Sequence, residues 1–161
     1  MAKISAGLNV PDFTLPSTDG KMISPLDFRG KWTILYFYPK DDTSGCTKEA
    51  CNFRDKMSEY RKRHVEIYGI SADDMESHLK FVNKNSLPFP LLSDTEHEVL
   101  EDFGVWVEKS MYGKTYMGVS RTTVLVDPDG RIAKIFDDVK PDEHSREILS
   151  YLDIVISNWT V

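Results

Sequence analysis

The sequence predicts an α/β fold with a central mixed sheet flanked by helices. Three observations carry this. Trp32-Thr33-Ile34-Leu35-Tyr36-Phe37-Tyr38 is almost wholly aromatic, β-branched or apolar, the mark of a strand buried on both faces. Cys46, Ala50, Phe53, Met57 and Tyr60 follow at spacings of 4, 3, 4 and 3, one stripe of a helix. Val65-Glu66-Ile67-Tyr68-Gly69-Ile70 then completes a strand–helix–strand unit, whose usual product is a parallel pair with the helix packed across it.

The other elements follow in order. Phe13-Thr14-Leu15, the polar turn Ser17-Thr18-Asp19-Gly20 and Lys21-Met22-Ile23 predict an N-terminal hairpin ahead of the central unit. A helix is expected after Ser71, with Asp73 and Glu76 in capping-box spacing and Met75, Leu79 and Val82 as its apolar stripe. Leu87-Pro88-Phe89-Pro90-Leu91-Leu92 admits only a short strand with a rigid entry. Ser93 and Glu96 predict the start of a third helix carrying Val99, Leu100 and Phe103 and ending at Gly104. Arg121 to Val126 and Arg131 to Phe136 flank the turn Asp127-Pro128-Asp129-Gly130 as a second hairpin. A last helix is expected from Pro141 through Ile148, Leu149, Leu152 and Val155. This order is that of a thioredoxin-like domain with an N-terminal hairpin added, a single domain over residues 1–161.

Bulk composition narrows the function. A chain of 161 residues, 40% hydrophobic and 29% charged, buries a core without disulfide staples. Its net charge of −6 argues against a nucleic-acid surface, which needs a cationic footprint. The apolar run from Trp32 to Tyr38 is too short to cross a bilayer, and Met1 to Gly7 holds no apolar leader core. The expected compartment is the cytoplasm, where cysteine pairs are more often catalytic, sensing or metal-bound than structural. The four histidines, at 64, 78, 97 and 144, form no metal-ligand spacing, and no glycine-rich phosphate loop occurs, so neither metal nor cofactor is expected.

Cys46 and Cys51 are the only cysteines in the chain. An isolated cysteine is more often a small buried filler than a reactive group. Two features weigh against that here. Cys46 follows Thr43-Ser44-Gly45, where a helix must begin, so it meets unpaired backbone N–H groups and the positive helix end, which favour thiolate. Cys51 falls off the apolar stripe, about 140° around from Cys46. Residues five apart on a helix have Cα atoms roughly 8–9 Å apart, beyond the about 7 Å a disulfide tolerates. The pair cannot bond while that helix is intact.

Ionisation alone is a modest gain. An ordinary thiol of pKa about 8.5 is about 3% ionised at pH 7, so full ionisation is worth at most ~30-fold. Fast attack on a peroxide also needs donors aimed at the O–O bond, where negative charge leaves on oxygen. The candidates are the Thr43 hydroxyl, the Cys46 backbone N–H and a cation. Arg121, heading the apolar strand Thr122-Thr123-Val124-Leu125-Val126, is the best cation, though strand-end arginines are commonly surface residues. Glu49 could hold its guanidinium, or serve only as a first-turn helix carboxylate. Phe89 and Trp106 suit core packing better than a collar around the thiol.

The string from Tyr36 to Cys51, with Pro39, Thr43 and Cys46 spaced as Pro-x-x-x-Thr-x-x-Cys, resembles the peroxiredoxin signature, and most closely its bacterioferritin-comigratory (Q-type) subfamily. Asp12-Phe13-Thr14-Leu15, Phe89-Pro90-Leu91-Leu92-Ser93-Asp94, Met111-Tyr112-Gly113-Lys114 and Ser120-Arg121-Thr122-Thr123 extend the resemblance over nearly the whole chain. It implies a peroxiredoxin-type thioredoxin-like fold and a thiol peroxidase acting on hydrogen peroxide and organic hydroperoxides. Cys46 would be the peroxidatic cysteine and Cys51 the resolving one, joined in an intramolecular disulfide during the cycle. Pro39, Thr43 and Arg121 would shape the peroxide pocket, with Glu49 in support. A thioredoxin-like dithiol would be the reductant, and an internal disulfide makes a monomer sufficient. Ser44 stands where the subfamily usually has proline, a change expected to ease unwinding of the first turn.

Two rival readings remain at this stage. A thioredoxin-type disulfide oxidoreductase would have Cys-x-x-Cys and a proline heading the later strand, whereas this chain has Cys-x-x-x-x-Cys and Arg121-Thr122-Thr123. A redox-sensing binding module would form the same disulfide but react only stoichiometrically.

Overall fold

The computed structural model describes residues 4–158, so the opening residues 1–3 of the segment searched for a leader lie outside it. The N-terminal hairpin is present as β1 (Leu15–Pro16) paired antiparallel with β2 (Met22–Ile23). A single 3₁₀ turn at Pro25–Phe28 leads into β3 (Trp32–Phe37), which is buried along its whole length as its composition demands. Then come α1 (Ser44–Asp55), α2 (Met57–Lys62), β4 (Val65–Ser71), α3 (Met75–Asn85), β5 (Leu91–Ser93) and α4 (Glu98–Asp102). The chain continues through β6 (Trp106–Met111), β7 (Lys114–Val119), β8 (Thr122–Val126), β9 (Ile132–Phe136) and α5 (His144–Ser157).

The main sheet runs β5-β4-β3-β8-β9. β3 pairs parallel with β4, and β4 with β5, while β8 and β9 join antiparallel, so the sheet is mixed. The two-residue period of β3 sorts its side chains into two cores. Leu35 and Phe37 pack with Phe28, Tyr68, Leu100 and Phe103 on one face. Ile34, Tyr36 and Tyr38 pack with Cys46, Ala50, Phe53, Phe89 and Ile148 on the other. On that second face Tyr36 lies 4.8 Å from the Phe53 ring centroid and 5.4 Å from that of Tyr38. Such ring pairs contribute about 0.5–1.5 kcal/mol each beyond area burial. The Tyr36 ring needs Gly69 opposite it on β4, because a Cβ there would lie 2.8 Å from the ring and 2.7 Å from Leu91.

Several elements depart from the sequence expectation. The single stripe from Cys46 to Tyr60 is broken by a tightened turn at Lys56, which separates α1 from α2. This aims the Tyr60 hydroxyl at the Ser145 carbonyl, 2.9 Å away. The cap of α3 is Asp74, which accepts from the Ser77 N–H, rather than Asp73. Its buried face is His78 and Phe81, while Leu79 of the expected stripe is 41% exposed. Ser93 belongs to β5, and α4 starts later, after His97. There the Asp94 carboxylate accepts the Leu100 N–H. α5 begins at His144, a turn after Pro141. The β6–β7 hairpin was not expected at all. It is mostly exposed on both faces, so it shows no apolar alternation.

Candidate active site

Cys46 occupies the first turn of α1, which the loop from Tyr38 to Thr43 joins to the end of β3. Thr43, in extended conformation, precedes the helix, and the first backbone bond runs from the Thr47 N–H to the Thr43 carbonyl at 2.8 Å. The N–H groups of Ser44, Gly45 and Cys46 therefore have no acceptor inside the helix. Thr43 makes no side-chain cap; its hydroxyl donates instead to the Lys40 carbonyl at 2.9 Å. The helix start is left as a cluster of unspent donors around a thiol that is only 1% exposed.

Arg121, at the entrance to β8, reaches this thiol across the sheet. Its Nη2–H donates to Cys46 Sγ at 3.3 Å, and its Nη1–H donates to Glu49 Oε1 at 2.7 Å. Glu49 is fully buried, and its second oxygen, Oε2, has no protein partner. Burial pushes the Glu49 carboxyl up to about 7, against the opposing pull of Arg121. Gly45 makes the approach possible, because a Cβ at that position would lie 3.3 Å from Arg121 Nη2. On the far side, His144 of α5 bonds Thr123 Oγ1 at 2.7 Å. Burial, and then the charge of Arg121, draw the His144 imidazole down to about 4.

The structure thus brings Cys46, Arg121 and Glu49 into one chain of contacts. Thr43 and Pro39 sit in the loop that delivers Cys46, with Thr43 exposed and Pro39 half-buried. Phe89 packs in the same core as Cys46, against Tyr36 and Phe53, whereas Trp106 belongs to the opposite core and stacks on His97.

Cys51 lies on the same helix as Cys46, and both are free thiols. Helix geometry keeps their Cα atoms roughly 8–9 Å apart. Cys51 is half-buried, and its thiol faces the Asn85 side-chain oxygen at 3.8 Å. One turn on, Arg54 Nη1 donates to the Asn85 carbonyl at 2.8 Å. Asn52 fixes the opposite side of α1, donating to the Pro141 carbonyl at 2.5 Å and the Asp142 carbonyl at 3.2 Å. The second half of α1 is therefore pinned to α3 and to the loop before α5.

Sequence reasoning missed a buried polar cluster beneath the loop from Pro39 to Thr43. The Asp41 carboxylate accepts from the Tyr38 hydroxyl (2.5 Å) and the Ser77 hydroxyl (2.8 Å), and it contacts His78 Nδ1 at 2.7 Å. The Asp41 N–H donates to Asp73 Oδ2 at 2.9 Å, an oxygen that also accepts from the Ser71 hydroxyl. Asp41, Asp73 and His78 bring possible ligand atoms within 4.8 Å of one another, but His78 Nε2 is engaged with the Leu92 carbonyl at 3.0 Å. The signal that could have revealed this cluster is the His78–Phe81 spacing on α3, which treats histidine as a core residue.

The chain as a whole is similar to known proteins. The sequence pattern that defines the AhpC/TSA family matches residues 6–135. Peroxiredoxin Bcp of Escherichia coli is 46% identical over 152 residues, covering 94% of this chain and 97% of that protein. Peroxiredoxin Bcp of Bacillus subtilis is 44% identical over 149 residues, covering 92% and 95%. Among solved structures, Xanthomonas campestris Peroxiredoxin Q superposes with a TM-score of 0.86 at 35% identity, covering 92% of this chain and 97% of that one. The Xanthomonas campestris bacterioferritin comigratory protein, studied for alkyl peroxide reduction in a trapped intermediate/ligand complex, gives 0.86 at 34% identity, covering 93% and 98%.

Proposed function

The chain belongs to the AhpC/TSA family as a thiol peroxidase of the Bcp/PrxQ type, and on that premise we propose that Cys46 is its peroxidatic cysteine and Cys51 its resolving cysteine. The observation that carries the assignment is the Arg121 Nη2–H directed at Cys46 Sγ at 3.3 Å. The same guanidinium is held from behind by buried Glu49. A fixed cation and the unpaired N–H groups of a helix start stabilise the attacking thiolate and the charge that develops on the departing oxygen.

In the first step the Cys46 thiolate attacks one peroxide oxygen. The O–O bond breaks, water or an alcohol leaves after taking up a proton, and Cys46 becomes a sulfenic acid. Thr43 supplies a hydroxyl to the peroxide once it turns from Lys40, and Pro39 shapes the loop that presents it. In the second step α1 frays, Cys51 attacks the sulfenic sulfur, water leaves, and the Cys46–Cys51 disulfide forms. A thioredoxin-like dithiol then reduces that disulfide and is itself oxidised. The reading includes a single domain, a monomer sufficient for the whole cycle, and a cytoplasmic setting. No helix among the described residues is long and apolar enough to cross a membrane.

The test is peroxide consumption with a thioredoxin and its reductase. Cys46→Ser abolishes turnover. Cys51→Ser consumes one equivalent of peroxide and stops, and mass mapping of the wild type after one equivalent finds the 46–51 disulfide. Turnover that survives Cys46→Ser rejects the assignment. A wild type that reacts once and cannot be recycled favours the sensor reading instead.

A further inference from the structure

The loop that carries the reactive thiol is anchored by one buried group. Asp41 stands midway between Pro39 and Thr43 and is 5% exposed. Asp42, next to it, adopts φ 60°, a left-handed conformation uncommon for a residue with a side chain. Such a backbone is held only where its surroundings over-determine it. Here that surrounding structure is the Asp41 carboxylate, gripped by Tyr38 just after β3 and by Ser77 and His78 from α3.

Hydrogen-bond accounting defines the pair more closely. The Leu92 carbonyl can only accept, so His78 Nε2 carries a hydrogen. The contact of Nδ1 with Asp41 Oδ2 at 2.7 Å must then contain a second proton, since two lone pairs would repel at that distance. Asp41 and His78 thus share a proton inside a site where the two side chains are 3% and 0% exposed. Burial keeps the Tyr38 phenol well above its usual range, so it remains a donor to the same carboxylate. The Ser77 and His78 bonds tie the thiol's loop to α3, the Tyr38 bond ties it to the end of β3, and the Asp41 N–H bond to Asp73 ties the backbone itself.

We propose that Asp41, through its proton-sharing contact with His78, is the positioning residue of the peroxide pocket: it fixes the loop that sets Thr43 and the Cys46 N–H relative to Arg121. The proposal rests on the pocket assigned above. It predicts a separation between two reactions of the same thiol. Peroxide reduction needs the sulfur, the Thr43 hydroxyl and the N–H in register, and a misplacement of about 1 Å costs on the order of 100-fold. Alkylation of Cys46 by iodoacetamide, resolved from that of Cys51 by mass mapping, needs the thiolate but neither the Thr43 hydroxyl nor the N–H in register.

The experiment measures first-turnover peroxide rates and iodoacetamide rates on the full chain for His78→Leu, His78→Asn and the wild type. The leucine variant keeps volume without a donor. The asparagine variant presents an amide N–H near the place of Nδ1. The expected result is a fall of about tenfold or more in the peroxide rate for His78→Leu, recovery to within about threefold for His78→Asn, and alkylation within about twofold throughout. Should His78→Leu fail to fold, Ser77→Ala removes one donor from the edge of the cluster and lowers the peroxide rate several-fold on the same comparison. Peroxide and alkylation rates that move together, or asparagine performing no better than leucine, overturn the proposal. The wild-type 46–51 disulfide, mapped in parallel, reports separately on the cysteine assignment.

Discussion

Gly45→Ala separates the chemistry of the site from the stability of its helix. The added Cβ would stand 3.3 Å from Arg121 Nη2 and 3.8 Å from the Pro141 ring, so the guanidinium must retreat by a few tenths of an ångström. Its present separation from Cys46 Sγ is 3.3 Å. At an effective dielectric constant of about 20, a retreat of about 0.4 Å weakens a unit charge pair by about 0.5 kcal/mol. That is about a 2.5-fold slower first turnover. The same substitution replaces a poor helix former by the best one, with a gain below about 1 kcal/mol so near the helix start. The thermal midpoint should therefore rise by about 2 °C while the enzyme slows. Stopped-flow fluorescence gives the rate of the first peroxide turnover, and calorimetry gives the midpoint. An unchanged rate would mean that the guanidinium is not held against residue 45. A loss above about tenfold would mean that the loop, and not the cation alone, had moved.

Three further outcomes are expected. In the oxidised protein, amide protection should vanish over residues 47–51 and persist at Lys56, whose N–H bonds the Phe53 carbonyl in the end of α1 that Asn52 and Arg54 hold; equal protection in both redox forms would refute this. Glu49 is raised to about 7 from 4.5, so in the window between those values the unfolded chain has lost a proton that the folded one keeps. Stability then falls as pH rises through that window, by about 3 kcal/mol when complete, and Glu49→Gln should abolish this slope in urea titrations run across pH. His144 acts in the opposite sense: lowered to about 4 from 6.5, it stays neutral when folded, and its contribution is full above 6.5 and lost as pH falls toward 4. The two slopes oppose one another in the wild type, so His144→Gln should expose the Glu49 slope, and a variant profile parallel to the wild type would contradict the assignment.

Much of this was legible in the sequence where one signal dominated. β3 is buried on both faces, so its composition alone announced it. The thiol's position followed from Thr43-Ser44-Gly45, where a helix must begin, and Arg121 from its place at the head of an apolar strand. The β6–β7 hairpin escaped because its residues face solvent on both sides, although Tyr112-Gly113, with φ 52° and 77°, has the backbone of a two-residue hairpin turn. The face of α3 was misjudged for a different reason. The expected stripe of Met75, Leu79 and Val82 leaves out His78, which is drawn inward by a carboxylate from a loop 37 residues earlier. No local pattern carries that partnership. Glu49 and Arg121 lie 72 residues apart, and only the sheet register brings them together.

The grip of Asn52 on two carbonyls ahead of α5 has a mechanical meaning. It falls on the residue immediately after the second sulfur, so melting that begins at the first turn of α1 meets a stop just where enough slack has been released. Phe53 behind it stays seated between Tyr36, Tyr60 and Phe89. On the proposed cycle, fraying would be confined to two turns of backbone at the rim, and the aromatic interior would stay closed to water.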